Sequence, residues 1–245
     1  AALMLGVIAG HDRNDATSSR ERVPDYTEHL NAGISGMKIG VIRELTDNLS
    51  SEVRTSFLNA QAALRTLGAT VEEVSMPSLP LAGFVNSAIV RAEAFEYHES
   101  WLLERRQDYG DDVRRLIESG MLATGASYVR AQRARPRMVA EALAALNGRD
   151  VLIAPGAAIP AYRIGMAQSI DEPEGTVDPL AAILRFTMPF DVTGQPALAL
   201  PIGLSPDGLP LSMQIIGRPF DEARVLQVGA AYERARDPLP APTAI

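Results

Sequence analysis

Residues 197–217 read ALALPIGLSPDGLPLSMQIIG, two apolar runs separated by Pro206-Asp207-Gly208. Proline presets one turn dihedral and glycine accepts the positive one that side chains resist, so the stretch predicts two strands joined as a tight hairpin. Working upstream, DVLIAP (150–155) is a short apolar run ended by proline and reads as a buried strand. MKIGVI (37–42) also reads as a buried strand, and TVEEV (70–74) as a second strand stopped by Pro77 and Pro80. Between those two, Ser50 or Ser51 can cap a helix whose Val53, Phe57, Ala60, Leu64 and Leu67 recur at helical spacing, and Gly68 ends it. Strand, amphipathic helix, strand is a βαβ-like unit.

The predicted fold class is therefore α/β, one mixed β-sheet with helices on both faces. Strands near 37–42, 70–74, 151–154, 197–204 and 211–217 should share that sheet. Good helix formers run from Leu81 to Arg106, and shorter helices are expected at Asp111–Ser119 and Ala126–Asn147, the last kinked or split by Pro136. Asp221 is placed to cap a final helix from Glu222 to Arg236. Residues 156–180, with scattered Gly and Pro, read as an irregular loop. At the start, AALMLGVIAG (1–10) is an apolar helical stretch with no capping residue, stopped at Gly10, and residues 11–36 form a polar loop. A helix without a start signal implies earlier turns upstream. The expected organisation is thus a broken helix and loop over 1–36, then sheet and covering helices over 37–245, all of one domain.

With 245 residues, 47% hydrophobic and 22% charged, the chain has enough apolar material for a core, which excludes wholesale disorder. Its net charge of −7 argues against generic binding to nucleic acid or anionic membranes. The absence of cysteine excludes disulfides, thiolate nucleophiles and Cys-ligated zinc, and makes the cytoplasm the default location. Residues 1–10 are too short to span a bilayer and lack the basic flank of a signal peptide. Lys38 is the only lysine, so any chemistry needing a neutral amine has one candidate.

Self-contained chemistry is hard to find. No G-x-S-x-G elbow exists, and Gly33-Ile34-Ser35-Gly36 is one residue short of one. His11, His29 and His98 are scattered and read as loop or surface residues. Glu93, Glu96 and Glu99 recur at helical spacing but read as a solvated face, and no metal motif is present. Single glycines at 194, 203, 208 and 217 mark turns and strand ends rather than a phosphate loop. Arg130, Arg133, Arg135 and Arg137 form a basic run that reads as a solvated helix face. Tyr97 and Trp101 read as core or helix-packing residues rather than a stacking platform. No cofactor and no metal are expected.

The stretch FTMPFDVTGQPALALPIGLSPDGLPLSMQIIGRPFDEARVLQVGAAYE (186–233) resembles the C-terminal signature of the amidase-signature family. That pattern is Thr-x-Pro-x-Asn-x-x-Gly-x-Pro-Ala, then Pro-x-Gly, a turn, and Pro-x-Gly-x-Gln-x-x-Gly. Thr187, Pro189, Gly194, Pro196, Ala197, Pro201, Gly203, Pro210, Gln214 and Gly217 occupy matching positions, while Asp191 replaces the family's Asn and Ser212 its Gly. Residues 1–19, 112–135 and 150–160 are similar to other family segments in the right order, so the resemblance covers nearly the whole chain.

The resemblance implies a family that hydrolyses carboxylic amides with a Ser–cisSer–Lys triad, whose residues lie upstream of the segment matched here. Lys38 begins a strand beyond that region, and Ser18-Ser19 and Ser50-Ser51 lack the flanking glycines. No catalytic residue is therefore expected in this chain, which reads as the C-terminal part of an amidase, an incomplete fold inactive alone. Thr187, Phe190, Asp191, Gly194, Gln195 and Gln214 are the implied residues of the substrate pocket or its supporting shell. The implied partners are a small-molecule amide in the complete protein and the N-terminal half, with homo-oligomerisation expected of the chain by itself. The related amidase-like component of glutamyl/aspartyl-tRNA amidotransferases carries an Asn-Asp pair where Ile183-Leu184-Arg185 stand here, which favours a general amidase. A non-catalytic binding or dimerisation module is the alternative of another class.

Overall fold

In a computed structural model, which describes residues 1–162, 170–172, 175–177 and 183–240, five strands make one mixed sheet. They are β1 (Lys38–Ile42), β2 (Thr70–Val74), β3 (Val151–Pro155), β6 (Ala197–Leu204) and β7 (Pro210–Ile216). The spatial order is β2-β1-β3-β7-β6. β1 runs parallel to both β2 and β3, with Ile39 opposite Val71 on one side and Val151 on the other. β7 runs antiparallel to β3 and to β6, with Ile215 opposite Ile153 and Leu198. Every residue of central β3 is buried, as a strand covered on both faces requires. Its neighbours Ile39, Met213 and Ile215 are fully buried as well, so the core is centred on these strands.

The hairpin forms as its turn residues dictate. The Ser205 carbonyl accepts the Gly208 N–H (2.9 Å), the Ser205 N–H donates to the Leu209 carbonyl (2.8 Å), and Gly208 takes a φ of +78°.

Seven α-helices occur among the described residues: α1 (Ala2–Ile8), α2 (Ser51–Thr66), α3 (Ala82–Glu104), α4 (Asp111–Glu118), α5 (Gly125–Ala145), α6 (Met188–Thr193) and α7 (Glu222–Ala235). The expected stripe buries α2, where Val53, Phe57, Ala60 and Leu64 are inside and the Ser50 hydroxyl accepts the Val53 N–H. α3, α5 and α6 make a second apolar cluster from Ala82, Val85, Ile89, Ala131, Met138 and Val192. α1 rests on Tyr26 and Leu226 through Ala2 and Leu5, leaving Leu3, Met4, Val7 and Ile8 exposed. Residues 11–36 have no helix or strand, yet the loop is tied down: Gln227 donates to the Gly33 carbonyl (2.7 Å) and Arg234 to that of Leu30 (2.7 Å).

Four expectations need correction. Pro136 does not split its helix; α5 runs unbroken from Gly125 to Ala145 because Ala131, Met138, Ala142 and Ala145 bury both halves. Asp221 makes no side-chain cap; its backbone carbonyl instead accepts the N–H groups of Arg224 (3.2 Å) and Val225 (3.4 Å). Tyr97 and Trp101 are not core residues: they are 68% and 45% exposed, because α3 packs along Ala82, Val85 and Ile89 on a different side. They touch each other edge to face, with centroids 5.8 Å apart. Finally, residues 156–180 are not wholly irregular. β4 (Ile170–Glu172) and β5 (Gly175–Val177) pair antiparallel, while 163–169, 173–174 and 178–180 lie outside the described residues.

A buried-edge carboxylate supplies a pH test of the βαβ unit. Burial raises the Glu44 pKa, but bonds from the Ser75 hydroxyl (2.5 Å) and the Met76 N–H (2.9 Å), together with Arg43 at 3.1 Å, outweigh it and hold the group below its ordinary 4.5. A lowered folded value means a stabilisation that is present above 4.5 and fades as the pH falls through the folded value. Glu44→Gln should therefore cost on the order of 1 kcal/mol at neutral pH and nearly nothing well below pH ~4, read as urea midpoints.

Candidate functional site

α6 turns the chain from Phe186 into β6, and its neighbours bring the implied site residues together. Thr187 precedes the helix; its carbonyl accepts the N–H groups of Phe190 (3.0 Å) and Asp191 (3.3 Å), and its hydroxyl reaches the Leu184 carbonyl at 3.4 Å. Pro189 in the first turn needs no donor. Gly194 closes the helix in the left-handed region (φ 72°), giving its N–H to the Phe190 carbonyl at 2.8 Å.

The six candidates divide by what they touch. Gln195 is buried; it accepts from the Thr193 hydroxyl (3.0 Å) and donates to the Gly217 carbonyl (3.2 Å). Gln214 is buried too, and its Nε2 donates to the carbonyls of Pro155 (3.1 Å) and Phe186 (2.6 Å). These glutamines are braces: one ties the end of α6 to the end of β7, the other ties β7 to the end of β3 and the start of α6. Phe190 is core. Thr187, Asp191 and Gly194 are exposed, and the two side chains, four residues apart, lie on one side of α6. The Asp191 carboxyl has no hydrogen bond or ion pair among the described residues, and partial desolvation raises its pKa above the ordinary value.

Arg135 is indistinguishable in sequence from its neighbours in the basic run. Its Nε donates to the Val192 carbonyl at 2.8 Å, so α5 anchors the last turn of α6. Ser212, where the family has Gly, accepts the Gly156 N–H on its carbonyl at 2.8 Å, holding the chain as it leaves β3.

The remaining chemical candidates stay apart. Lys38 is exposed at the start of β1, held through its backbone by Asp150 (2.9 and 2.8 Å), and no hydrogen bond joins its ammonium to a serine among the described residues. His98 meets the Tyr109 hydroxyl at 3.0 Å, and His11 the Ser18 hydroxyl at 2.8 Å. Glu93 accepts from the Tyr128 hydroxyl at 2.9 Å. No group of three or more His, Asp or Glu able to hold a metal occurs among the described residues, and no helix there is long and apolar enough to cross a membrane. Among the described residues, no nucleophile paired with a base is assembled beside α6.

The amidase family model matches residues 1–226. An amidase of Pseudomonas putida is 41% identical over 236 residues, covering 96% of this chain and 50% of that protein. The A component of the glutamyl-tRNA(Gln) amidotransferase of Myxococcus xanthus is 35% identical over 264 residues, covering 97% and 53%. Among solved structures, a bacterial aryl acylamidase of the amidase-signature enzymes superposes with a TM-score of 0.81 at 26% identity, over 96% of this chain and 50% of that one. The chain thus spans about half the length of the curated relatives it matches. With the family model matching residues 1–226 and the superposition on solved amidase-signature structures, it belongs to the amidase family.

Proposed function

We propose that this chain supplies the scaffold and one wall of the substrate pocket of a carboxylic-amide hydrolase. The nucleophile, proton-transfer lysine and oxyanion donors would come from the part of the family fold that it does not span. The observation carrying this reading is the pair of buried glutamines, which spend their hydrogen bonds on holding α6 so that Thr187 and Asp191 face outward. Such bracing suits a surface that must keep its shape against a ligand or a second body. Asp191, its carboxyl without a partner among the described residues, would line the substrate's path, with Thr187 beside it.

The test is amide turnover. Residues 1–245 alone should release neither ammonia from simple amides nor arylamine from anilides. Turnover that survives replacement of Lys38 and of every serine would end the reading. In a catalytically complete protein carrying this segment, Asp191→Asn should alter KM more than kcat. A second reading, a component of a glutamyl/aspartyl-tRNA amidotransferase, has the Myxococcus relative in its favour; glutamine rather than simple amides would then be the nitrogen donor. A non-catalytic module would bind but not turn over in either assay. We place the protein in the cytoplasm, without cofactor, and expect the chain by itself to associate with copies of itself.

A further inference from the structure

Between α2 and the β1–β2 pair lies a cavity of about 300 Å³, at the small end of the range of small-molecule sites. All of its walls come from residues 41–73, one contiguous βαβ unit, so this segment builds the cavity by itself. The floor is apolar: Val41, Leu49 and Phe57 line it and are buried. Along α2, Arg54, Phe57, Leu58, Gln61 and Arg65 recur at steps of three and four and form one stripe facing it. Val71 and Glu73, two apart on β2, face it from the strand.

Gln61 is the informative residue. It is only 8% exposed, and its Oε1 accepts one long bond, from Arg65 Nη2 at 3.5 Å. Its Nε2 has no hydrogen-bond partner among the described residues. Two donors left unspent on so buried an amide are costly until something in the cavity accepts them. Arg65 is pinned beside it, since the same Nη2 donates to the Val71 carbonyl at 3.3 Å. Its Nε and Nη1 make no hydrogen bond among the described residues.

Charge narrows the choice of ligand. Glu72 is committed to Arg149 Nε at 2.7 Å, and Arg54 and Glu73 have no ion pair among the described residues. Two guanidiniums and an amide donor thus stand against one unpaired carboxylate, and the lining is net positive. We propose that the cavity binds a small carboxylate with an apolar body. Gln61 Nε2 and the Arg65 guanidinium take the carboxylate, and the hydrocarbon lies against Phe57, Val41 and Leu49. A guanidinium offers parallel donors that match the two oxygens of a carboxylate. Sulfate or phosphate would leave the apolar floor unused, and an amine would meet two cations. The proposal goes beyond the amide-hydrolysis reading and does not depend on it, because its test reads binding and not turnover.

The probe is isocaproate, titrated into the 245-residue chain, or a longer protein that carries it, and followed by N–H correlation NMR and calorimetry. A Kd on the order of 1 mM or tighter is expected, with the Gln61 side-chain N–H signals shifting as the site fills. Isocaproamide, isopentylamine and inorganic sulfate should each bind roughly tenfold more weakly or worse. Gln61→Leu keeps much of the volume and should retain the far-UV spectrum while isocaproate binding falls roughly tenfold. Glu73→Gln changes an exposed residue and should tighten isocaproate roughly two- to fivefold, which a merely structural role would not do. Isocaproate that binds Gln61→Leu as tightly as the wild type, or leaves the Gln61 signals unmoved, would overturn the site. Equal binding of the amide or the amine would overturn the ligand class. No binding up to the solubility limit of the probe would mean that the cavity holds water alone, and would overturn the proposal outright.

Discussion

Gly120→Ala should lower stability by about 3 kcal/mol or more, roughly 6–12 °C in Tm for a chain of this size. Gly120 sits in the short 3-10 turn after α4, pressed against α3. A Cβ there would lie 2.1 Å from the Arg91 carbonyl oxygen and 2.5 Å from the Phe95 Cβ. Neither atom belongs to a flexible side-chain end, so α3 must part from the turn or its own ladder must distort. Gly125→Ala is the control: nothing lies within 4 Å of its would-be Cβ, and Tm should stay or rise slightly. Matching melting curves for Gly120→Ala and the wild type would mean that this contact does not hold α3 in place.

The second large effect is expected at Gln214. Gln214→Leu keeps much of the volume and removes both donations, stranding the buried Pro155 and Phe186 carbonyls at a cost of about 2–4 kcal/mol. Gln214→Glu should be worse at neutral pH, because a carboxylate would face two carbonyl oxygens. It should recover in acid, because those carbonyls favour the protonated form and raise the folded pKa. A raised value means stability present below the unfolded pKa and lost as the pH rises through the folded one. Urea midpoints of the two variants should therefore converge as the pH falls. Curves that stay parallel would show that the glutamine does not carry these bonds.

The hairpin is readable because Pro206-Asp207-Gly208 dictates its own geometry, and α2 because one stripe of residues repeats at the helical period. Both are local instructions. Tyr97 and Trp101 mislead because size and apolarity say nothing about which side of a helix meets a neighbour; that depends on α5 and α6, distant in sequence. The candidate site shows the same divide. The motif picks out Gln214 and the resemblance implies Gln195 beside it, but only the fold reveals that both side chains are turned inward onto carbonyls. Arg135 stands among three other arginines, and only its neighbour in space, the Val192 carbonyl, sets it apart.

β1 and β3 lie side by side, yet the bond from the Lys38 N–H to the Asp150 carboxylate spans 112 residues. During synthesis the β1–α2–β2 unit can close early, while the other edge of β1, the apolar run KIGVI, waits for its mate. At about 5–20 residues per second, that wait lasts roughly 5–20 s. Ribosomal pauses between β2 and β3 lengthen it, and pauses after β3 do not. Codon choice over residues 75–150 should accordingly change the yield of native protein far more than the same changes near the end of the message.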